Sequence, residues 1–184
     1  PKKEAFWRRR YVPSPSFLSL HLGVRADLIP AGTHCHHLLL EDWNRMEDEQ
    51  GVIFVSMPSL LDQDLAPVGH HIVHTFTPSS MEAWQGLTPS QYREKKEADA
   101  ERLIQRLEAI LPGLAAAITH KEIGTPRSHR RFLGRFQGSY GPIPAKQLPG
   151  LLPMPFNRTG VPNLYCVGDS CFPGQGLNAV AFSG

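Results

Sequence analysis

The stretch from Asn163 to Gly184 constrains the fold more than any other part of the chain. Leu164 to Val167 is a short apolar run ending at Gly168, which reads as a buried strand. Asp169 follows, then a turn carrying Pro173, Gly174, Gln175 and Gly176, and an apolar run from Leu177 that reads as the start of a helix. A strand, a glycine-rich turn and a helix together aim backbone N–H groups and a positive helix end at an anion. Glycines also let main chain approach a flat or phosphorylated ligand where a Cβ would collide. Asp169 suits hydrogen bonds from a sugar-alcohol hydroxyl. A lone G-x-G is equally an ordinary βα turn, so the longer string has to carry the argument.

Gly168-Asp169-Ser170-Cys171-Phe172-Pro173-Gly174-Gln175-Gly176, followed by Ala179 to Gly184, resembles the C-terminal flavin motif of the carotenoid isomerases. These are the prolycopene isomerases of plants, algae and cyanobacteria, relatives of the bacterial phytoene desaturases. Ser16 to Gly23, His36-His37 with Leu40 to Trp43, Gly124 to Arg131 and Gly138 to Pro142 are similar to the same family, in order. The resemblance implies an α/β two-domain flavoprotein fold of the FAD/NAD(P)-binding class, α+β in its substrate part. Residues 1–136 are then part of a carotenoid substrate-binding domain, 137–162 a crossing coil, and 163–184 the C-terminal FAD-binding segment. The family's G-x-G-x-x-G fingerprint does not occur. Gly134, Gly138 and Gly141 come nearest, but they follow a polar, arginine-rich segment rather than a strand. The chain is therefore expected to be a C-terminal fragment.

Several functional expectations come from the resemblance alone. The cofactor is FAD in its reduced form. Gly168 and Asp169 lie against its pyrophosphate or ribityl part, and Pro173, Gly174, Gln175 and Gly176 bring main chain against the isoalloxazine. The helix from Leu177 points its positive end there. The substrate is a poly-cis carotene, prolycopene, isomerised to all-trans lycopene with no net redox change. The setting is a plastid or a cyanobacterial membrane surface, with peripheral membrane contact. No catalytic acid or base is assigned. A desaturase or saturase on the same scaffold, or a non-catalytic binding piece, remain the alternatives.

Composition narrows this only modestly. A net charge of +2 gives little support to a nucleic-acid role. No apolar run approaches the roughly 20 residues of a membrane span. Lys2, Lys3, Arg8, Arg9 and Arg10 form a basic opening, the sharper reading of which is contact with anionic lipid. Lys121, Arg127, Arg130, Arg131 and Arg135 form a second basic stretch, either solvated or holding an acid partner in chain not seen here. Glu41, Asp42, Glu47, Asp48 and Glu49 read as a solvated acidic face. Cys35, Cys166 and Cys171 have no C-x-x-C spacing, which argues for a reducing compartment. Cys166 reads as a small core residue, and Cys171 is given no catalytic role.

Along the chain, Phe17 to Val24 reads as a strand with Leu18, Leu20, Leu22 and Val24 on a core face and Phe17, Ser19, His21 and Gly23 opposite. His34, His36 and His37, with His70, His71 and His74, are expected to be strand histidines and not metal ligands. Glu41 to Gln50 is a polar segment anchored by Trp43 and Met46. Gly51 to Met57 and His70 to Thr77 are strand-like, completing a mostly antiparallel sheet with one open face suited to a large apolar ligand. Thr88-Pro89-Ser90-Gln91 is a capping box. The helix it opens buries Ala100, Leu103, Ile104, Leu107 and Leu111, leaves Asp99 among its wet residues, and stops at Pro112 and Gly113. Ile118 to Ile123 is a strand or a helix end. Thr125 and Pro126 start another helix, and Tyr140, Leu151, Leu152, Met154 and Phe156 anchor the coil that follows.

Overall fold

The computed structural model describes residues 2–145 and 154–184, with side chains from Ala5 onward. In chain order its elements are helix α1 (Lys2–Arg10), strands β1 (Tyr11–Pro13), β2 (Ser16–Arg25), β3 (His36–Leu40), β4 (Val52–Ser56) and β5 (His70–Ser79), and helices α2 (Pro89–Leu107) and α3 (Leu114–Ala117). There follow β6 (Ile118–Gly124), α4 (Pro126–Leu133), β7 (Pro142–Pro144) and α5 (Leu177–Ser183). Five strands form an antiparallel sheet in the order β3-β4-β5-β2-β6, while β1 pairs with β7 in a separate ribbon. The mixed architecture with an antiparallel sheet is the one expected. Ile118 to Ile123 resolves as the edge strand β6.

The β2 register decides the two faces. Leu18, Leu20 and Leu22 sit opposite Thr77, Thr75 and Val73 of β5 and share one buried face with Val24. The two threonines tolerate burial because their hydroxyls donate to the Phe54 and Val52 carbonyls of β4, at 2.8 and 2.6 Å. Helix α2 closes this face with Ala100, Leu103, Ile104 and Leu107, and Leu111, Leu114 and Trp84 complete the core. Each leucine or isoleucine among them contributes about 1.5–3 kcal/mol on burial. The capping box forms as read: Thr88 accepts from the Gln91 N–H, and the Gln91 side chain accepts from the Thr88 N–H.

Four expectations need correction. The helix ends at Leu107 rather than Leu111, though Leu111 still reaches the core from the turn beyond it. Asp99 is buried, not wet. It flanks the apolar stripe, and Lys95 at 2.8 Å and Arg102 neutralise its carboxylate there. Trp43 is 77% exposed and Met46 is exposed too, so neither anchors its segment. Glu49 does that instead: it accepts from Ser79 Oγ at 2.6 Å and from the Ser80 N–H at 3.1 Å. Finally, Leu164 to Val167 is not a buried strand. Its one bridge joins Tyr165 to Arg158, and all of its side chains are exposed, because no strand among the described residues runs beside it. Leu151 and Leu152 lie outside the described residues, as do the side chains of Lys2 and Lys3.

On the other face of the sheet, rings meet in sequence. Phe54 and Phe76 stack at 4.8 Å, Phe76 meets Phe17 edge-on at 5.2 Å, and Phe17 meets Tyr140 at 5.0 Å. Beside this line, His21 stacks on its cross-strand partner His74 at 4.2 Å.

Candidate functional site

The site forms where that line of rings reaches the loop 168–176. Helix α4 sets up one side. Thr125 and Ser128 cap it reciprocally, Pro126 fills its first position, and it ends at Gly134 in a left-handed conformation, φ 64°. The chain then turns back sharply at Gly138, where a Cβ would lie 2.4 Å from the Pro126 carbonyl oxygen. Only glycine fits there. That turn delivers Tyr140, whose N–H donates to Ser14 Oγ at 3.0 Å. Its ring packs on Phe17, and its hydroxyl lies 3.2 Å from His129 Nδ1.

The loop itself is held by local hydrogen bonds. The Gly168 N–H donates to Ser183 Oγ at 2.7 Å, and Phe172 N–H donates to the Pro155 carbonyl at 2.7 Å. Asn157 reaches the Ser183 carbonyl at 2.8 Å. Gly141 admits the loop closely, since a Cβ there would sit 2.9 Å from the Asp169 carbonyl oxygen. Arg135 then grips Asp169 with two N–H groups, Nη1 at 2.8 Å from Oδ1, and its guanidinium lies over the Tyr140 ring, 5.2 Å from the centroid. Gln175 Nε2 donates to the Tyr140 carbonyl.

These contacts fix the charge states. The Arg135 hydrogen bonds hold the Asp169 carboxyl below the usual aspartate range, against a smaller opposing effect of burial. Burial pushes the Tyr140 hydroxyl up. Burial also pulls the His129 imidazole down, with the positive Arg135 and the nearby His21 adding to the effect and the Phe17 carbonyl opposing it. His129 Nε2 is buried without a hydrogen-bond partner in good geometry among the described residues. Beside the loop, a cavity of about 640 Å³ opens between Tyr11, Phe136, Phe156, Arg158, Ser170 and Cys171.

No protein-family model matches the chain. It is 58% identical, over its whole length, to the chloroplastic prolycopene isomerase of Arabidopsis thaliana, of which it covers 31%. To the chloroplastic prolycopene isomerase of Daucus carota it is 54% identical, again over its whole length and 30% of the relative. The chain belongs to the prolycopene isomerase family. It spans about a third of the length of these curated relatives. A neurosporene-forming phytoene desaturase of Rhodobacter capsulatus is 30% identical over 72% of this chain and 25% of its own. An oxidoreductase crystal structure from Methanosarcina mazei superimposes on 94% of this chain and 33% of its own, with a TM-score of 0.51 and 18% identity, a likeness of fold alone.

Within this prolycopene isomerase family chain, the residues singled out from sequence fall into two groups. Gly168 (φ 107°) and Gly176 (φ 96°) carry bare main chain facing open space, and Leu177, the first residue of α5, is 86% exposed. Asp169, Gln175 and Gly174 turn inward instead. Asp169 binds Arg135, Gln175 binds the Tyr140 carbonyl, and Gly174 packs against Met154. Pro173 follows Phe172 between them. Within the second basic stretch, Arg135 finds its acid partner in Asp169 and Lys121 finds one in Glu97. The cysteines exchange roles: Cys166 is exposed, whereas Cys171 is buried, its thiol pushed up by burial. Arg135, Tyr140, His129 and Ser183 were not singled out as site residues. The G-S-Y-G-P string around Tyr140 was the available signal.

Proposed function

We propose that this chain is the substrate sheet and cofactor loop of a flavin-dependent carotenoid isomerase, converting poly-cis lycopene to all-trans lycopene in a plastid. Residues 1–136 belong to the carotenoid-binding part, 137–162 cross over, and 163–184 serve the cofactor. The observation that carries this reading is the continuous line of rings from Phe54 to Tyr140, ending where Arg135–Asp169 and Gln175 converge. A carotene has no polar handle, so its affinity comes from apolar burial along a shaped wall. Flat rings supply such a wall beside a cofactor loop.

The loop fits a flavin through its main chain more than its side chains. A Cβ at Gly168 or Gly176 would meet nothing within 4 Å on this chain, and both backbones need glycine by their positive φ. The first-turn N–H groups of α5 have no partner within the helix and so remain as donors. Bound FAD in its reduced form supplies the reversible electron or proton exchange that loosens a conjugated double bond. Gly168, Gly176 and Leu177 hold it by backbone. Arg135 keeps Asp169 ionised and aimed, leaving further lone pairs for a ribityl hydroxyl. Pro173, Gly174 and Gln175 keep the loop in place, Gln175 through the Tyr140 carbonyl.

Peripheral membrane contact belongs to the same reading, since the substrate partitions into lipid. The end of helix α4 and the turn after it support it, with Phe132, Leu133 and Phe136 exposed near Arg130 and Arg131. The test is a reaction. Full-length protein with reduced FAD, prolycopene in a detergent dispersion and no oxygen is expected to yield all-trans lycopene with its count of conjugated double bonds unchanged. Products with extra double bonds, or activity only with oxidised flavin and an acceptor, assign the protein to the desaturases instead.

A further inference from the structure

We propose that His129 is the positioning residue of the cofactor loop: by accepting the Tyr140 hydroxyl at Nδ1, it fixes the ring on which the Arg135–Asp169 pair rests, on the same residue whose carbonyl holds Gln175. Its role toward the cofactor rests on the functional reading above. Its role toward the loop stands on geometry.

The contacts converge on Tyr140 from three directions. Its hydroxyl meets His129 Nδ1 at 3.2 Å. Its carbonyl receives Gln175 Nε2, and its ring lies under the Arg135 guanidinium that holds Asp169. The backbone is pinned as well, because Tyr140 N–H donates to Ser14 Oγ at 3.0 Å and Ser14 N–H donates to the Gly141 carbonyl at 2.9 Å. With the backbone fixed, the side chain has its ring torsions left to set, and His129 and Phe17 set them.

His129 is suited to this. It lies on α4, a helix capped at both ends, so its own position is firm. For Nδ1 to accept the hydroxyl, the imidazole must be neutral with its proton on Nε2. Burial is the largest influence on the ring and disfavours the imidazolium, with His21 and Arg135 adding to it and the Phe17 carbonyl opposing. Nε2 is then a buried N–H near the Phe17 carbonyl, outside good hydrogen-bond geometry. Leaving that group incompletely satisfied costs stability, as groups held for a positional role often do. A phenylalanine in its place would be the more stable filler but would leave the Tyr140 hydroxyl without its acceptor.

The experiment uses full-length protein carrying His129→Phe, Tyr140→Phe, both together, or His129→Asn, whose amide oxygen sits near the place of Nδ1. Amide hydrogen exchange is followed in the 168–176 loop with and without FAD, alongside the FAD dissociation constant. His129→Phe and Tyr140→Phe are each expected to speed loop exchange and weaken FAD by about fivefold, the worth of one neutral hydrogen bond. The double variant should lose no more than either single one, and His129→Asn should recover most of the loss. Additive losses, His129→Asn no better than His129→Phe, or unchanged loop exchange in Tyr140→Phe, which keeps the ring and the fold, would overturn the proposal. Wild type that binds no FAD would sink the functional reading instead, and the loop exchange rates would still decide the role of His129.

Discussion

Arg135 and Asp169, 34 residues apart in sequence, form a two-pronged ion pair that ties the turn after α4 to the loop 168–176. Both side chains are mostly buried, at 25% and 21% exposure, so solvent screens the pair less than it would on the surface. The proposed substrate part and cofactor segment are thus joined by charge as well as by chain.

The pair gives the loop a pH dependence of definite sign. Asp169 titrates lower in the folded protein than in the unfolded chain. Its contribution is therefore complete above the ordinary aspartate range, near pH 4, and is lost as pH falls through the lower folded value. Arg135→Ala should remove that contribution, which is present at neutral pH and fades in acid. Urea unfolding of wild type and variant at pH 6 and pH 3 should show a gap of about 1.5 kcal/mol at pH 6, narrowing at pH 3. A gap that widens on acidification would contradict the assignment.

Asp169→Ala should affect the cofactor more than the fold. The loop keeps its backbone bonds to Ser183 and Pro155, while Arg135 loses its partner and the flavin loses a carboxylate. Loss of charge-assisted bonds worth about 1.5–3 kcal/mol weakens FAD roughly ten- to hundredfold. Flavin absorbance after dialysis measures it. Equal flavin retention in variant and wild type would leave Asp169 as the anchor of Arg135 alone.

The line of rings makes a prediction about substrate. Phe54 is 39% exposed and stacks on Phe76, so Phe54→Ala removes wall with little loss of core. An aromatic contact is worth about 0.5–1.5 kcal/mol, so KM for the polyene should rise about two- to tenfold with kcat nearly unchanged. Steady-state rates against substrate in detergent dispersion give the two constants separately. A fall in kcat alone would place Phe54 away from the bound polyene.

How far the sequence was legible follows from the range of each interaction. Alternation in Leu18, Leu20, Leu22 and Val24, the capping box at Thr88 and the helix start at Thr125 and Pro126 depend on neighbours a few residues away, and they form as read. Asp99 was misread because composition sees charge and not the partner, here Lys95 and Arg102; Glu49 is exposed as read, but composition could not show that it accepts from Ser79 and the Ser80 N–H. The glycine loop was legible by its string, yet Asp169 and Gln175 turn to Arg135 and Tyr140, contacts across 34 and 35 residues. Strand Leu164–Val167 failed because an apolar run predicts burial only where a ladder partner lies alongside.

The Glu49 contact carries its own prediction. Trp84 Nε1 donates to Ser79 Oγ at 2.9 Å, and Ser79 Oγ donates onward to Glu49 at 2.6 Å, so a buried indole is satisfied through a surface carboxylate. Glu49→Ala should lower stability by about 1–2 kcal/mol, and Glu49→Gln by less, because the amide oxygen still accepts. Thermal unfolding followed by tryptophan fluorescence reads both the loss and the change around Trp84. No difference between Glu49→Ala and wild type would show that water takes the carboxylate's place.

The exposed segment 163–184 predicts how the chain behaves without the rest of a full-length relative. Leu164, Tyr165, Val167, Leu177 and Phe182 are each more than half exposed, and exposed apolar side chains gathered in one segment suit burial against a partner surface. On the proposed reading this surface packs against the dinucleotide-binding part of the whole protein, which also holds the other half of the flavin. The 184-residue chain expressed alone should therefore be colourless and bind a hydrophobic dye strongly. Full-length protein should be yellow, with dye binding suppressed. Stoichiometric flavin on the 184-residue chain alone would show that the loop and the cavity beside it make a complete site, and would remove the division between the two flavin-binding parts.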